Sequence, residues 1–166
     1  QGIEVTEQTK ILRRLAYDGL MIRDHALHLY FFVLPDILGI DSILDIQDDD
    51  SLGHTLLHDS FDIKRLGTEI TDVIIGAAIH APYPTIGGFL KQPDQSKFND
   101  LAAKLEALRP QVIRGVETFY NWKENLTRNV DYLYLRNNSR FDFLEGNIYN
   151  SKGQQIKPDQ FHKFLE

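Results

Sequence analysis

Leu12, Leu15, Gly19, Ile22, Ala26, Leu29 and Val33 recur at alternating spacings of three and four residues. That rhythm places seven small or apolar side chains on one stripe of a helix and predicts a long first element from Thr6 to Val33. Gly19 within the stripe costs about 1 kcal/mol relative to alanine, which predicts close packing against another backbone. Pro35 has no N–H and restricts Leu34, so the helix is expected to end there.

Helical periodicity returns from His54 to Ile75, with Phe61, Ile63, Leu66, Ile70, Val73 and Ile74 on the apolar face and Gly76 as the stop. Between the two helices, Asp45, Asp48, Asp49 and Asp50 lack the central glycine and closing glutamate of a calcium loop, and read as a solvated acidic loop. Ala81–Pro93 carries three prolines and two glycines, Pro82, Pro84, Gly87, Gly88 and Pro93, and reads as a constrained loop. A third helix starts near Asp94 or Ser96 with Phe98, Leu101, Leu105 and Leu108. Pro110 opens a fourth, with Val112, Val116, Phe119 and Tyr120 facing inward. After Trp122, Val130–Leu135 and Arg140–Leu144 read as strands. Asn147–Ile156 carries a turn at Asn150-Ser151-Lys152-Gly153, and a short helix spans Asp159–Leu165. The expected fold is mainly α: a bundle of about four helices, two of them long, with a small antiparallel β appendage and a short C-terminal helix. The expected division is 1–125 for the bundle and 126–166 for the appendage, packed as a single structural unit.

Composition narrows the function. With 42% hydrophobic and 25% charged residues, the 166-residue chain is ordinary for a globular protein with its own core. A net charge of −6 and scattered arginines argue against nucleic acid as a partner, because phosphate neutralisation needs a basic face. There is no cysteine, which excludes a disulfide framework, a thiolate zinc site and a cysteine nucleophile, and fits a reducing compartment. No apolar run reaches the ~18–20 residues of a membrane span. Gln1–Lys10 is polar and mixed in charge, unlike a secretory signal. The sequons at Asn125-Leu126-Thr127 and Asn137-Asn138-Ser139 are therefore expected to stay unmodified.

The residues able to carry chemistry sit in three places. In Arg23-Asp24-His25-Ala26-Leu27-His28, Asp24 and His28 are one helical turn apart and share a face, with His25 beside His28. Such a set binds metal, relays protons, or satisfies itself as a polar patch of the bundle. His54 and His58 are also one turn apart, with Asp62 a further turn on. This spacing suits two metal ligands and equally suits surface histidines. His80, at the end of the second helix, is placed to cap it as imidazolium. Spacing alone leaves three readings open: a helical metal-dependent hydrolase, a non-catalytic interaction module with Ile79–Phe89 as its docking surface, and the one that follows.

The runs Thr9–Leu15, Ile22-Arg23-Asp24-His25-Ala26-Leu27-His28-Leu29-Tyr30-Phe31 and Leu34-Pro35-Asp36 resemble a stretch of [NiFe]-hydrogenase large (alpha) subunits. There a helix with a "DHxxHFY" or "SHALHxY" core follows the first cysteine pair. Leu66–Ile70 and Ile75-Gly76-Ala77-Ala78-Ile79-His80, with Gly87-Gly88-Phe89 after them, resemble the family's "GGRxxHPxxxxxGG" segment. Tyr132–Leu135 and Phe143-Leu144-Glu145-Gly146 resemble its later β region. The wording of the first helix is most similar to the cytoplasmic, multi-subunit, coenzyme-reducing branch, which reduces a deazaflavin, a nicotinamide or another electron carrier.

The resemblance implies an oxidoreductase that cleaves dihydrogen heterolytically at a nickel–iron centre and passes electrons to an iron–sulfur small subunit. It also implies a coenzyme-reducing subunit in the same complex. Asp24 would be an outer carboxylate that orients an arginine or water above the open metal position. His25 and His28 would flank the buried site, and His80 would face the partner's proximal cluster. The chain departs from the pattern in four places. Ala77 stands where the family has arginine, Ala81 separates His80 from Pro82, Asp24 stands where the cytoplasmic branch often has serine, and both CxxC pairs that hold nickel are absent. The chain is therefore expected to be an internal segment, holding no metal of its own and inactive alone.

Overall fold

The computed structural model describes residues 3–47, 50–122, 128–142 and 144–164, with 163 and 164 described by their backbone. Asp48 and Asp49 of the acidic loop, the Asn125 sequon, the 125/126 boundary, Phe143 and Leu165 lie outside the described residues. The chain divides into two compact units, Gln1–Trp122 and Lys123–Glu166.

The first unit is built on three long helices: α1 (Glu7–Ala26), α3 (Ser51–Ile75) and α4 (Phe98–Tyr120), with a short α2 (Leu34–Leu38). Thr6 caps α1, its hydroxyl accepting the Thr9 N–H, and Asp50 caps α3 by accepting the Gly53 N–H at 2.8 Å. Asp50 is therefore a helix cap and not part of a solvated acidic loop. Gly76 ends α3 in the left-handed region at φ 85°, as the sequence predicts.

Helices α1 and α3 run against each other, and the contact is set by two glycines. A Cβ on Gly67 would stand 2.6 Å from the Arg23 backbone nitrogen and 2.8 Å from the Gly19 carbonyl oxygen, and one on Gly19 would stand 2.8 Å from Ile70. The backbones approach this closely only because neither residue has a side chain. Around the crossing, Leu12, Ala16, Leu66, Ile70, Ile74, Ile75 and Leu101 form one buried cluster. Ala26, Tyr30, Leu34, Ile43, Leu56 and Ile63 form a second. Each large member contributes about 1.5–3 kcal/mol by leaving water.

The prolines behave differently from expectation. Pro35 does not end the first helical run, which continues to Leu38 and stops at Gly39, φ 69°. Between α1 and α2, Leu27–Val33 adopts a π-helix, and the Leu34 N–H donates to the Leu29 carbonyl five residues back. This restarts the α ladder with Pro35 in its first turn, where a missing N–H is tolerated. Pro110 does not open a new helix either: it lies inside α4. It sits on the exposed side, so water reaches the Glu106 carbonyl that has lost its donor.

Only part of α4 faces inward. Leu101 and Gly115 are buried and Phe98, Leu108 and Phe119 half-buried, whereas Leu105, Val112, Val116 (60% exposed) and Tyr120 (86%) form a bare apolar row. On α3 the expected face holds except for Phe61, which is exposed and meets Phe31 edge-on. The segment after α3 is not wholly irregular: β1 (Pro84–Thr85) and β2 (Gly88–Phe89) form a minimal hairpin.

The second unit is a three-stranded antiparallel sheet in the order β3 (Leu133–Arg136), β4 (Asn147–Asn150), β5 (Gln155–Ile156), followed by the expected short helix, which is a 3₁₀ helix at Pro158–Phe164. Tyr134 pairs with Tyr149 across β3 and β4 and their rings stack at 5.8 Å. Arg140, Phe141, Asp142 and Leu144 are not in a strand. The Asp142 carboxylate accepts the Leu144 and Glu145 N–H groups and the Arg140 guanidinium, a local set of bonds in place of a strand ladder. The observed fold is the expected one, mainly helical with a small antiparallel β appendage, although its helices number three long and one short among the described residues.

Candidate functional site

The last turn of α1 carries Arg23 and Asp24, and both belong to a bridge that spans 55 residues of sequence. The Arg23 Nε donates to Asp24 Oδ1 at 2.9 Å and Nη2 forms an ion pair with the same oxygen at 2.8 Å, while Nη1 donates to the backbone carbonyl of Ala78. The bridge follows from the glycine crossing, since Gly67 lets the Arg23 backbone lie on α3 and its side chain then reaches past the end of α3. The guanidinium side chain is 14% exposed and that of Asp24 is 49% exposed. Asp24 Oδ2 accepts no hydrogen bond among the described residues and opens to solvent.

His80 lies two residues beyond Ala78 and is exposed, between exposed Ile79 and Ala81. Farther along this loop the Arg13 Nη2 donates to the Thr85 carbonyl at 3.1 Å, and the Tyr83 N–H donates to Ile75 at 3.2 Å. The structure thus joins Asp24 to the His80 loop through Arg23. The His25 and His28 side chains make no hydrogen bond among the described residues and are also exposed. His28 lies against the Phe32 ring at 6.4 Å between centroids.

His54 and His58 do come together on α3, with ring centroids 5.6 Å apart. Asp62 is engaged elsewhere: it accepts from Arg65 at 2.6 Å and from the Gln111 amide at 3.2 Å. Among the described residues, no three His, Asp or Glu side chains lie close enough to hold a metal ion. The convergence of Asp24, His25, His28, His54, His58 and Asp62 required by a metal-dependent hydrolase is therefore not found. With no cysteine in the chain, the donor set does not fit a thiolate-held nickel–iron centre.

A second polar centre is one that sequence reasoning misses. Asp59, 2% exposed, takes a bidentate pair from Arg114 of α4, at 2.7 and 2.9 Å. Tyr30, 3% exposed, packs its hydroxyl over Gly115, where a Cβ would stand 2.0 Å away. Burial, and then the Asp59 carboxylate, push the Tyr30 phenol up to about 12. A signal exists: Asp59 occupies a turn of α3 between Leu56 and Ile63, both buried, and a carboxylate on an apolar stripe announces a buried partner.

No family model matches the chain. It does have relatives among known proteins. The chain is 29% identical over 163 residues to the alpha subunit of sulfhydrogenase 1 from Pyrococcus furiosus, covering 98% of this chain and 36% of that protein. It is 30% identical over 154 residues to the alpha subunit of sulfhydrogenase 2 from the same organism, covering 87% and 37%. It is 24% identical over 181 residues to a subunit of the vhu F420-non-reducing hydrogenase from Methanocaldococcus jannaschii, covering 99% and 43%. In fold it resembles a chain in the crystal structure of an NAD+-reducing [NiFe]-hydrogenase in the H2-reduced state. There the TM-score is 0.60 at 18% identity, over 92% of this chain and 37% of that one. The chain thus spans about two fifths or less of each relative's length. No described helix is long and apolar enough to cross a membrane. These relatives are hydrogenase alpha, or large, subunits, and the chain aligns with part of each.

Proposed function

We propose that the chain is a scaffold segment of a [NiFe]-hydrogenase large subunit that surrounds the metal centre without ligating it. In the intact, cytoplasmic enzyme the reaction is the reversible heterolytic cleavage of dihydrogen. Electrons pass to an iron–sulfur small subunit, then through a coenzyme-reducing subunit to a deazaflavin, nicotinamide or other carrier. Nickel and iron belong to the complete large subunit, whereas the iron–sulfur clusters belong to its partner. This chain contributes Asp24, His25, His28 and His80 around them and is inactive alone.

One observation carries the reading. The Asp24 stretch on α1 and the His80 stretch after α3 are joined by the Arg23 guanidinium, which holds Asp24 and the Ala78 carbonyl. Asp24 then presents one oxygen to an open face and holds Arg23 with the other, which suits an outer carboxylate that orients its neighbours. The five exposed apolar residues of α4, Leu105, Val112, Ile113, Val116 and Tyr120, suit a segment enclosed by the rest of a larger subunit.

Nickel analysis and the surrounding coding sequence test this. The purified chain is expected to contain no stoichiometric nickel, and the gene to encode one CxxC pair before Gln1 and another after Glu166. One nickel per chain, or a gene without those pairs, overturns the reading. In the complete enzyme, Asp24→Asn is expected to lower dihydrogen oxidation by about 10–100-fold with nickel content unchanged.

A further inference from the structure

Arg23 has a role beyond pairing with Asp24. Among the described residues, the backbone of Ala77–Pro82 makes one hydrogen bond, and it is the Ala78 carbonyl accepting from Arg23. The neighbouring bonds begin only at Gly76, whose N–H donates to Asp72, and at Tyr83, whose N–H donates to Ile75. Arg13 holds the hairpin farther on, at Thr85. Among the described residues, the six residues that carry His80 are thus held to the bundle by a single hydrogen bond.

We propose that Arg23 is a positioning residue that sets the place of His80 and couples it to Asp24, so that a change at either one is felt at the other. The geometry requires a guanidinium. Nε and Nη2 face Asp24 on one edge and Nη1 faces the loop carbonyl on another, so a planar fork spans two acceptors that one ammonium cannot hold together. Asp24 fixes the plane of the fork, and the fork fixes the loop. The loop's own residue 77 is alanine, so the positive group at this place comes from α1 and not from the loop. The inference gives a mechanical link to the site named in the hydrogenase reading, but the link itself is tested without any metal.

The chain has no cysteine, so an Ile79→Cys substitution in the exposed loop takes a single nitroxide label. Its mobility is read by electron paramagnetic resonance in the full chain. Arg23→Ala is expected to shorten the label's correlation time at least threefold, and Arg23→Lys to do the same. Asp24→Asn is expected to give an intermediate value, and Arg13→Ala to leave the label as restrained as in the parent. If Arg23→Lys restores the parent spectrum, the pair is an ordinary surface ion pair and the proposal falls. It also falls if Arg23→Ala leaves the label restrained in a chain whose circular dichroism is unchanged. Should Arg23→Ala fail to fold, Arg23→Lys and Asp24→Asn decide by the same criterion. These outcomes are independent of nickel content and of flanking cysteines, so the two proposals fail separately.

Discussion

Two arginine–carboxylate pairs tie helices of this chain to other elements, and they are built to opposite ends. Arg114 grips both oxygens of a carboxylate that is almost wholly buried, leaving no polar atom of the Asp59 carboxylate without a donor. Arg23 takes one oxygen of a half-exposed carboxylate, turns its remaining edge to a loop, and leaves the second oxygen open. The same two chemical groups make a closed lock in one place and an open joint in the other. A closed pair contributes to holding the fold, because losing one partner strands a buried charge. An open pair contributes little to stability and is available to a neighbour.

The sharpest way to break this contrast is to remove each arginine in turn and measure unfolding in denaturant. Arg114→Ala is expected to cost about 3 kcal/mol, since Asp59 remains buried without its donor. Arg23→Ala is expected to cost about 1 kcal/mol or less. Equal costs would erase the distinction.

Alkali gives a second, slightly smaller test of the closed centre. The Tyr30 phenol is pushed up to about 12 in the folded chain from an ordinary value near 10. Above pH ~10 the unfolded chain therefore releases this proton first. Stability from this group is full below that pH and declines as pH rises toward 12, by roughly 2–3 kcal/mol in total. Unfolding measured from pH ~9 to ~12 should show the decline, and Tyr30→Phe should flatten the part that belongs to this residue.

The crossing beneath the open pair predicts an effect of about 1–3 kcal/mol. Gly67→Ala pushes a methyl group into the Arg23 backbone and should destabilise by that amount, as seen by thermal or chemical unfolding. The smallest change belongs to the open carboxylate itself. Asp24→Asn should move stability by no more than about 0.5 kcal/mol, while the nitroxide at position 79 reports a looser loop. A large loss of stability there would mean that the joint is structural after all.

Much of this is legible in the sequence wherever local periodicity coincides with burial. The α1 stripe, the α3 face and the Gly76 stop all appear because 3.6-residue periodicity and a left-handed glycine are local properties. Gly19 is expected to meet another backbone, and it does. What periodicity does not contain is which of two apolar faces on one helix finds a partner. Leu105, Val112, Val116 and Tyr120 look as inward as Phe98 and Leu108, and only the placement of α3 separates them. Proline misleads twice, because its effect depends on whether solvent or a neighbouring π turn absorbs the lost bond. The Asp24 and His80 stretches are found by resemblance, but their connection rests on Arg23 and Gly67, which spacing does not single out. Asp59 and Arg114 sit 55 residues apart, and nothing local pairs them.

The π-helix from Leu27 to Val33 also affects how this chain is compared with its relatives. Each π turn holds more residues than an α turn, so the helical run through these positions winds less far around its axis than its residue count suggests. A relative with an unbroken α-helix here needs one residue fewer to bring the same side chain to the same bearing. Aligned by sequence alone, such a pair would either show a one-residue gap near Tyr30 or mismatch every position from there to Leu38. Structure-guided alignment should therefore place the insertion inside the helix, where gap penalties ordinarily forbid it, and Tyr30 marks where to look.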